Sequence, residues 1–202
     1  QIHGGAAYFT DLPLERMLRD ARINQIGEGA NEVLISFIGL VGMRHQGADL
    51  KLVGDSIRHP WSGKSTLLRF LNGEARRRFS KPRFEVQSPH LRRAASRLGS
   101  LTKRFGLSVQ RELIRHREAI IDQQLVHENI AGAAMELYAS SCVLSRHDWE
   151  LIQHGTAEQQ ISSDVPDLFL QQSARRTRQF LKNLRDNDDQ LIRRAAATVI
   201  ST

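Results

Sequence analysis

Apolar residues along this chain of 202 residues recur mostly at the three- and four-residue spacing of an amphipathic helix. Strict alternation of apolar and polar residues, which would indicate a strand, never persists, and aromatic residues make up only 6% of the chain. The pattern therefore predicts an all-α fold, in which long helices joined by short turns pack as an antiparallel helical bundle.

The N-terminal part predicts two helices separated by a glycine-rich turn. Asp11 is suited to cap a short first helix, and Gly27 and Gly29 then interrupt the helical pattern. Asn31 is suited to cap a second helix, which should end near Gly47. The apolar stripe of this second helix comprises Leu34, Ile35, Phe37, Ile38 and Val41.

Glycines and prolines punctuate the chain after Gly47, so we expect an irregular connector there with one helix, at about 65–78. Longer helices are then predicted, with a break or kink at Pro166 in the third of them and turns at 150–155 and 186–188. The predicted helices are 90–121, 124–147, 157–184 and a short last one at 188–199. We divide the chain into residues 1–48 (two helices and the glycine-rich turn), 49–89 (the connector) and 90–202 (a C-terminal helical bundle).

Composition places the chain among soluble globular proteins, because 40% of its residues are hydrophobic, 25% are charged and no apolar run reaches membrane-spanning length. The chain has no secretory signal at its start and does not begin with Met, so we expect a processed product or a fragment. Cys142 is the only cysteine, which favours a reducing compartment, and its apolar neighbours predict burial. The histidines lack metal-ligand spacing, so no metal site is predicted.

The net charge of +7 is concentrated in one stretch. Ten basic residues lie between Arg76 and Arg104, with Glu85 as the single acid among them. Such a stretch suits contact with anionic lipid, nucleic acid or an acidic partner, although a solvated surface explains it equally well. No nucleic-acid motif with stacking aromatic residues is present, so nucleic acid is the less favoured partner.

The most specific pattern lies in residues 1–32. In order, it consists of Gln1-Ile2-His3-Gly4-Gly5, then Arg19-Asp20-Ala21-Arg22, then Gly27-Glu28-Gly29-Ala30-Asn31-Glu32. Order and spacing together resemble the C-terminal signature of the acyl-CoA dehydrogenase family. There a Gln-x-x-Gly-Gly segment precedes an Arg-Asp-x-Arg helix, and a Glu-Gly-Thr turn opens the next helix.

The resemblance implies an FAD-dependent enzyme of fatty acid β-oxidation that converts acyl-CoA to trans-2-enoyl-CoA, with Glu28 as the catalytic base. Glu28 and Gly29 would contact the substrate, and the backbone N–H of Glu28 would donate to the thioester oxygen. A carboxylate suits this role in a dry pocket, where desolvation raises its pKa, and adjacent glycine permits close approach of the backbone. Without the flanking motif, the simpler interpretation of Glu28 is a structural one, in which the acid is favoured by the positive end of the helix dipole.

The same resemblance assigns two groups of residues to FAD. The first group would contact the adenine-diphosphate end of a flavin bound mainly to the neighbouring subunit, and comprises Gln1, Ile2, His3, Gly4 and Gly5. The second group begins the helix after the base, and comprises Ala30, Asn31 and Glu32. Ala30 stands where the family usually has Thr, so a hydroxyl contact to flavin would be missing.

Residues 51–202 extend beyond the ends of short- and medium-chain members and resemble the very-long-chain branch of the family. The matching segments are Leu113–Arg117, Gln123–Leu125, Glu136–Ala139 and Val143–Arg146. The branch implies a homodimer, electron-transfer flavoprotein as acceptor, and peripheral membrane contact, for which Arg76–Arg104 is the candidate surface. The implied location is the bacterial cytoplasm or the mitochondrial matrix, at the inner membrane where contact is made.

Two alternatives stay open. The chain could be a non-catalytic basic helical module that binds anionic membrane or nucleic acid, or a degenerate family member that keeps the fold without the chemistry. In the leading interpretation, the resemblance makes residues 1–48 the last helices of a catalytic α-domain. The chain then lacks the earlier helices and the β-domain that enclose flavin and acyl-CoA in the family. We therefore expect the chain alone neither to bind flavin tightly nor to turn over substrate.

Overall fold

The computed structural model describes residues 1–58, 72–73, 80–154 and 160–200. Within these ranges the regular structure is helical and no strand occurs, which confirms the all-α prediction. The α-helices are α1 (Leu14–Arg22), α2 (Asn31–Arg58), α3 (Arg92–His116), α4 (Gln124–His154), α5 (Gln160–Asn183) and α6 (Asp189–Ile200). Short 3-10 helices cover Gly4–Ala7, Ile23–Gln25, Pro89–Leu91 and Arg117–Asp122.

Helix α4 is the centre of the bundle, because α2, α3 and α5 all pack against it. Two clusters of buried side chains form the core. The first, where α2 meets α3, α4 and α5, includes Met43, Val109, Leu113, Ile130 and Leu181. The second, between α3, α4 and α5, includes Leu91, Leu98, Leu101, Leu137, Leu144 and Ala174.

An extended segment at residues 80–88 crosses the bundle before α3 begins. It approaches α3 so closely at Gly99 that an added Cβ would lie 2.2 Å from the carbonyl oxygen of Pro82. The buried carboxylate of Asp148 on α4 accepts hydrogen bonds from the backbone N–H groups of Gln87, at 2.9 Å, and Ser88, at 2.8 Å. These contacts fix the extended segment to both helices.

Several predicted helix ends were wrong. Helix α2 continues to Arg58 rather than ending near Gly47, because packing of its glycine-bearing face outweighs the cost of about 1 kcal/mol that an interior glycine carries. Helix α4 continues to His154, through most of the turn predicted at 150–155. The first long helix instead divides at Arg117, whose φ of 51° starts the 3-10 helix Arg117–Asp122.

Helix α5 includes Pro166 in its interior, so the break expected there was wrong, since one lost backbone hydrogen bond in a long, packed helix does not end it. A kink at Pro166 stays a prediction. The burial expected for Cys142 was also wrong. Cys142 is exposed, because within its apolar run the helical period turns Leu137 and Leu144 inward and Cys142 outward.

The helix predicted at 65–78 lies outside the described residues, apart from residues 72–73, which are helical. The division of the chain into three domains stays a prediction, although α2 runs across its first boundary at residue 48. Among the described helices, none combines the length and the apolar character needed to cross a membrane.

Candidate active site

The turn that carries Glu28 lies between α1 and α2. After the 3-10 helix Ile23–Gln25, the carbonyl oxygen of Ile23 accepts the N–H groups of Ile26, at 2.9 Å, and Gly27, at 2.7 Å. A Cβ added at Gly27 would lie 3.2 Å from that same oxygen. Glycine at this position therefore allows the chain to close tightly just before Glu28.

Glu28 and Gly29 both have left-handed backbone conformations, with φ of 59° and 115°. The side chain of Glu28 is exposed. Within the described part of the chain, no hydrogen bond uses the backbone N–H of either residue. The turn thus presents a carboxylate and unused N–H donors next to one another, which is the set of groups that an enolising base site requires.

Helix α2 begins directly after this turn. The carbonyl oxygen of Ala30 accepts the N–H groups of Val33, at 2.9 Å, and Leu34, at 3.0 Å, so Ala30 and not Asn31 occupies the capping position. The predicted cap was wrong by one residue, which is within the usual uncertainty of a helix end. Asn31 and Glu32 lie exposed in the first turn of α2, and Gly29 and Ala30 are half-buried.

The other candidate residues, Gln1–Gly5, lie in an exposed N-terminal segment. The N–H of Gly4 donates to the carbonyl oxygen of Gln1 at 3.1 Å, and Gly4 has a φ of 56°. A Cβ added at Gly4 or Gly5 would meet no atom within 4 Å. This open backbone leaves room for a ligand to approach from outside, but it does not enclose one.

The structure connects only part of the predicted site. Glu28, Gly29, Ala30, Asn31 and Glu32 lie together because they are consecutive, whereas no hydrogen bond among the described residues joins them to Gln1–Gly5. Clefts of about 490 and 410 Å³ are lined by other residues, around Lys81 and around Arg193. The described residues contain no group of three acidic, histidine or cysteine side chains able to hold a metal ion.

An extensive apolar surface is exposed beside the candidate residues. It includes side chains of the N-terminal segment, α1 and the predicted stripe of α2, namely Tyr8, Phe9, Met17, Leu18, Leu34, Phe37, Ile38 and Val41. Exposed apolar patches in proteins mark interaction surfaces or ligand-binding grooves. The candidate residues adjoin this patch along the chain.

Sequence reasoning missed the residues through which α2 packs on the bundle. These are Gly39, Met43 and Gly47, spaced four residues apart and lying opposite α4 and α3. Small residues and one methionine at this spacing were the available signal, but the larger apolar stripe of α2 concealed it.

Comparison with known families identifies both ends of the chain. Residues 1–42 match the acyl-CoA dehydrogenase C-terminal domain, and residues 89–202 match the ACAD9/ACADV C-terminal domain. The chain is 33% identical over 163 residues to the mitochondrial very long-chain specific acyl-CoA dehydrogenase of Bos taurus, covering 78% of this chain and 25% of that protein. An acyl-CoA dehydrogenase of Bacillus subtilis is 58% identical over 33 residues, which are 16% of this chain and 9% of that protein.

A solved structure has the same fold. The crystal structure of an acyl-CoA dehydrogenase complexed with FAD from Bacillus anthracis superimposes with a TM-score of 0.66 at 21% identity, covering 97% of this chain and 31% of that chain. The chain spans about a quarter of the length of the very long-chain relatives that it matches. From the two family matches, which together cover the turn at Glu28 and the C-terminal bundle, we conclude that this chain belongs to the acyl-CoA dehydrogenase family.

Proposed function

We propose that this chain supplies the catalytic base to an FAD-dependent acyl-CoA dehydrogenase that forms trans-2-enoyl-CoA from acyl-CoA. The observation that carries the proposal is the turn at Glu28. It lies inside the matched acyl-CoA dehydrogenase domain, and it holds a carboxylate and unused backbone donors together at the start of α2. The alternative of a non-catalytic basic helical module has no support from the family matches.

In this proposal the carboxylate of Glu28 takes the α proton of the thioester. The backbone N–H of Glu28 donates to the thioester oxygen as negative charge develops there, and Gly29 leaves room for the substrate against the backbone. Bound FAD supplies the acceptor for the hydride that leaves the β carbon, so that the two departing hydrogens leave a carbon–carbon double bond. Water must be excluded around the base, and the exposed apolar surface of α1 and α2 provides part of the covering.

FAD would be held by two parts of this chain. Gln1, Ile2, His3, Gly4 and Gly5 would approach its adenine-diphosphate end, and the open backbone at the two glycines supports this. Ala30, Asn31 and Glu32 would lie against it at the start of α2. The remainder of the site would come from residues that this chain does not contain.

The finer assignments follow from the very long-chain relatives. We propose long-chain acyl-CoA as the substrate, electron-transfer flavoprotein as the electron acceptor and a homodimer as the assembly. Relatives named mitochondrial and relatives from bacteria support a mitochondrial or a bacterial cytoplasmic location. The basic stretch Arg76–Arg104 is our candidate for peripheral contact with anionic lipid. Four of its arginines are exposed on α3 (Arg92, Arg93, Arg97 and Arg104), while Arg76–Arg78 lie outside the described residues.

The direct test replaces the base in the whole protein. Palmitoyl-CoA oxidation with an artificial electron acceptor should fall by roughly 10²–10⁴-fold in Glu28→Gln, because a general base contributes about that much to rate. The FAD content should stay that of the wild type. Glu15→Gln is the matched control, since Glu15 pairs with Arg19 on the surface of α1 at 3.0 Å and its loss should leave the rate unchanged.

Each contrary result would exclude a different part of the proposed function. A Glu28→Gln variant with wild-type rate would remove Glu28 from the mechanism. A wild-type protein that binds FAD and oxidises no acyl-CoA of any chain length would establish the degenerate alternative, in which the fold is kept and the chemistry is lost.

A further inference from the structure

Helix α2 connects the turn at Glu28 to the C-terminal helices. It begins at Asn31, three residues after Glu28, and its buried face carries Gly39, Met43 and Gly47. A spacing of four residues places these three on one side of the helix. Met43 is 3% exposed and packs in a core cluster with residues of α3, α4 and α5. The position of the turn is therefore tied to the bundle through this face.

The closest approach is at Gly39. A Cβ added there would lie 2.9 Å from the carbonyl oxygen of His127, 3.0 Å from its Cβ and 3.1 Å from its Cα. Two of these three atoms belong to the backbone of α4, and none is the far end of a flexible side chain that could turn aside. The two helices are in backbone contact at this crossing, and only glycine fits between them.

The opposing residue is itself fixed. His127 is 1% exposed, and its Nε2 lies 2.7 Å from the carbonyl oxygen of Ile120 in the 3-10 helix Arg117–Asp122. The backbone N–H of His127 donates to the carbonyl oxygen of Gln123 at 3.0 Å. The first turn of α4 is thus joined to the segment before it, and α2 packs against a rigid surface.

A small displacement at this crossing would be enlarged at the turn. Met43 lies four positions after Gly39 and twelve positions after Asn31. These separations correspond to about 6 Å and about 18 Å along the helix axis. If α2 pivots at Met43, a shift of about 0.5 Å at Gly39 moves the start of the helix by about 1.5 Å. A misplacement of about 1 Å at a reacting group can lower a rate by about 10²-fold.

We propose that Gly39 and His127 are positioning residues, through which the C-terminal bundle fixes Glu28 at its working distance from the substrate. The inference rests on the proposed function of Glu28. It assigns a role in catalysis to the bundle formed by α3, α4 and α5, whose residues do not form the turn at Glu28.

The test is Gly39→Ala in the whole protein, with Gly42→Ala as the matched control. Both changes add one methyl group to the same helix, but a Cβ at Gly42 meets no atom within 4 Å. The rate of flavin reduction by saturating palmitoyl-CoA, expressed per bound FAD, should fall by about 10- to 100-fold in Gly39→Ala and stay within about twofold in Gly42→Ala. KM should change much less than kcat, because the displaced group acts on the chemical step.

A Gly39→Ala protein with the full rate per bound FAD would overturn the inference. A loss that appeared only as reduced FAD content, with the rate per bound FAD unchanged, would do the same and would mark Gly39 as structural. If Gly39→Ala does not fold, His127→Phe takes its place. It keeps a flat ring of similar size and adds nothing at the Cβ that faces Gly39, but it has no ring nitrogen to hydrogen-bond the carbonyl oxygen of Ile120. A reduced rate per bound FAD is expected, and a wild-type rate would overturn the inference. The proposed function fails separately, if Glu28→Gln keeps its activity.

Discussion

At the scale of single residues, Glu28 is held in a conformation that its side chain disfavours. A φ of 59° costs a non-glycine residue about 1–2 kcal/mol, and glycine or asparagine would adopt it more readily. The neighbouring Gly27 and Gly29 absorb the remaining constraints of the turn, since one makes a close contact with Ile23 and the other has a φ of 115°. Strain concentrated on an exposed acid is characteristic of a functional position.

Asp148 shows how a single buried carboxylate can hold a segment that has no regular structure. Replacing it by Asn leaves only one oxygen for the two backbone N–H groups. The amide NH₂ of the new side chain then faces one of these N–H groups, and two donors cannot pair. We expect Asp148→Asn to lower the free energy of unfolding by about 1–3 kcal/mol, measured by urea denaturation. Glu150→Gln is the control two residues along α4. It removes only the exposed pair with Arg146 and should cost less than about 0.5 kcal/mol. Equal effects of the two changes would show that Asp148 does not hold the segment.

The role of a residue could be predicted from the sequence where it depends on the neighbouring residues in the chain. It could not be predicted where it depends on a contact with a residue far away in sequence. The glycines around Glu28 stand out because their number and spacing interrupt a helical pattern. Gly39 lies inside such a pattern, and its role depends on the backbone of a residue 88 positions later. The burial of Cys142 was predicted wrongly, because its neighbours in sequence are apolar although its own side chain is exposed to solvent.

At the scale of elements, the α4–α5 contact combines close packing with polar links. A Cβ at Gly132 on α4 would lie 2.6 Å from the ring of Phe180 on α5, so this ring packs directly against the backbone of α4. Ser173 is buried against Ser140, with their hydroxyl oxygens 2.7 Å apart. Helical periodicity predicted both helices, but it could not predict this pairing, because small and hydroxyl residues contribute little to an apolar stripe.

The same contact predicts a pH dependence of stability. Burial raises the pKa of Glu136, but hydrogen bonds with Arg176 and Ser173, both on α5, and the charge of Arg176 outweigh it, so the net pKa lies below the ordinary value of 4.5. The Nε and Nη2 atoms of Arg176 lie 2.5 and 3.0 Å from the two carboxylate oxygens. A carboxyl group with a lowered pKa in the folded state contributes stability above pH 4.5 and loses it as the pH falls through the folded value.

We therefore expect the difference in unfolding free energy between wild type and Glu136→Gln to be largest near neutral pH and to shrink below about pH 4.5. Arg176 is 44% exposed, so solvent screening should keep the difference under about 1 kcal/mol. Urea denaturation at several pH values measures it. In an Arg176→Gln background the growth of this difference with pH should be lost, because Arg176 then no longer outweighs the burial that raises the pKa of Glu136. A difference independent of pH in the otherwise wild-type protein would contradict the assignment.

At the scale of the whole molecule, the two ends of the chain differ in how much of their apolar surface is buried. The C-terminal helices enclose two core clusters, and residues 89–202 match a family domain. The N-terminal 42 residues match a domain of the family that carries the candidate base, yet most of their large apolar side chains are exposed. Sequence resemblance predicted the family and the fold, but it could not predict that the stripe of α2 faces outward, because periodicity does not say which partner covers a face.

This difference predicts the behaviour of the 202-residue chain on its own. Sites for cofactors usually bury about 70–90% of the ligand surface, whereas Gln1–Gly5, Asn31 and Glu32 are all exposed. After loading with FAD and desalting, the chain should retain none by its absorbance near 450 nm (roughly the flavin maximum) and should oxidise no palmitoyl-CoA. A cooperative urea transition on the same sample would establish that the chain is folded, and the whole protein treated identically should stay yellow. A folded chain that kept about one FAD per molecule would mean that these residues enclose the cofactor without the rest of the site. The proposal that the remainder of the FAD site comes from residues outside this chain would then be wrong.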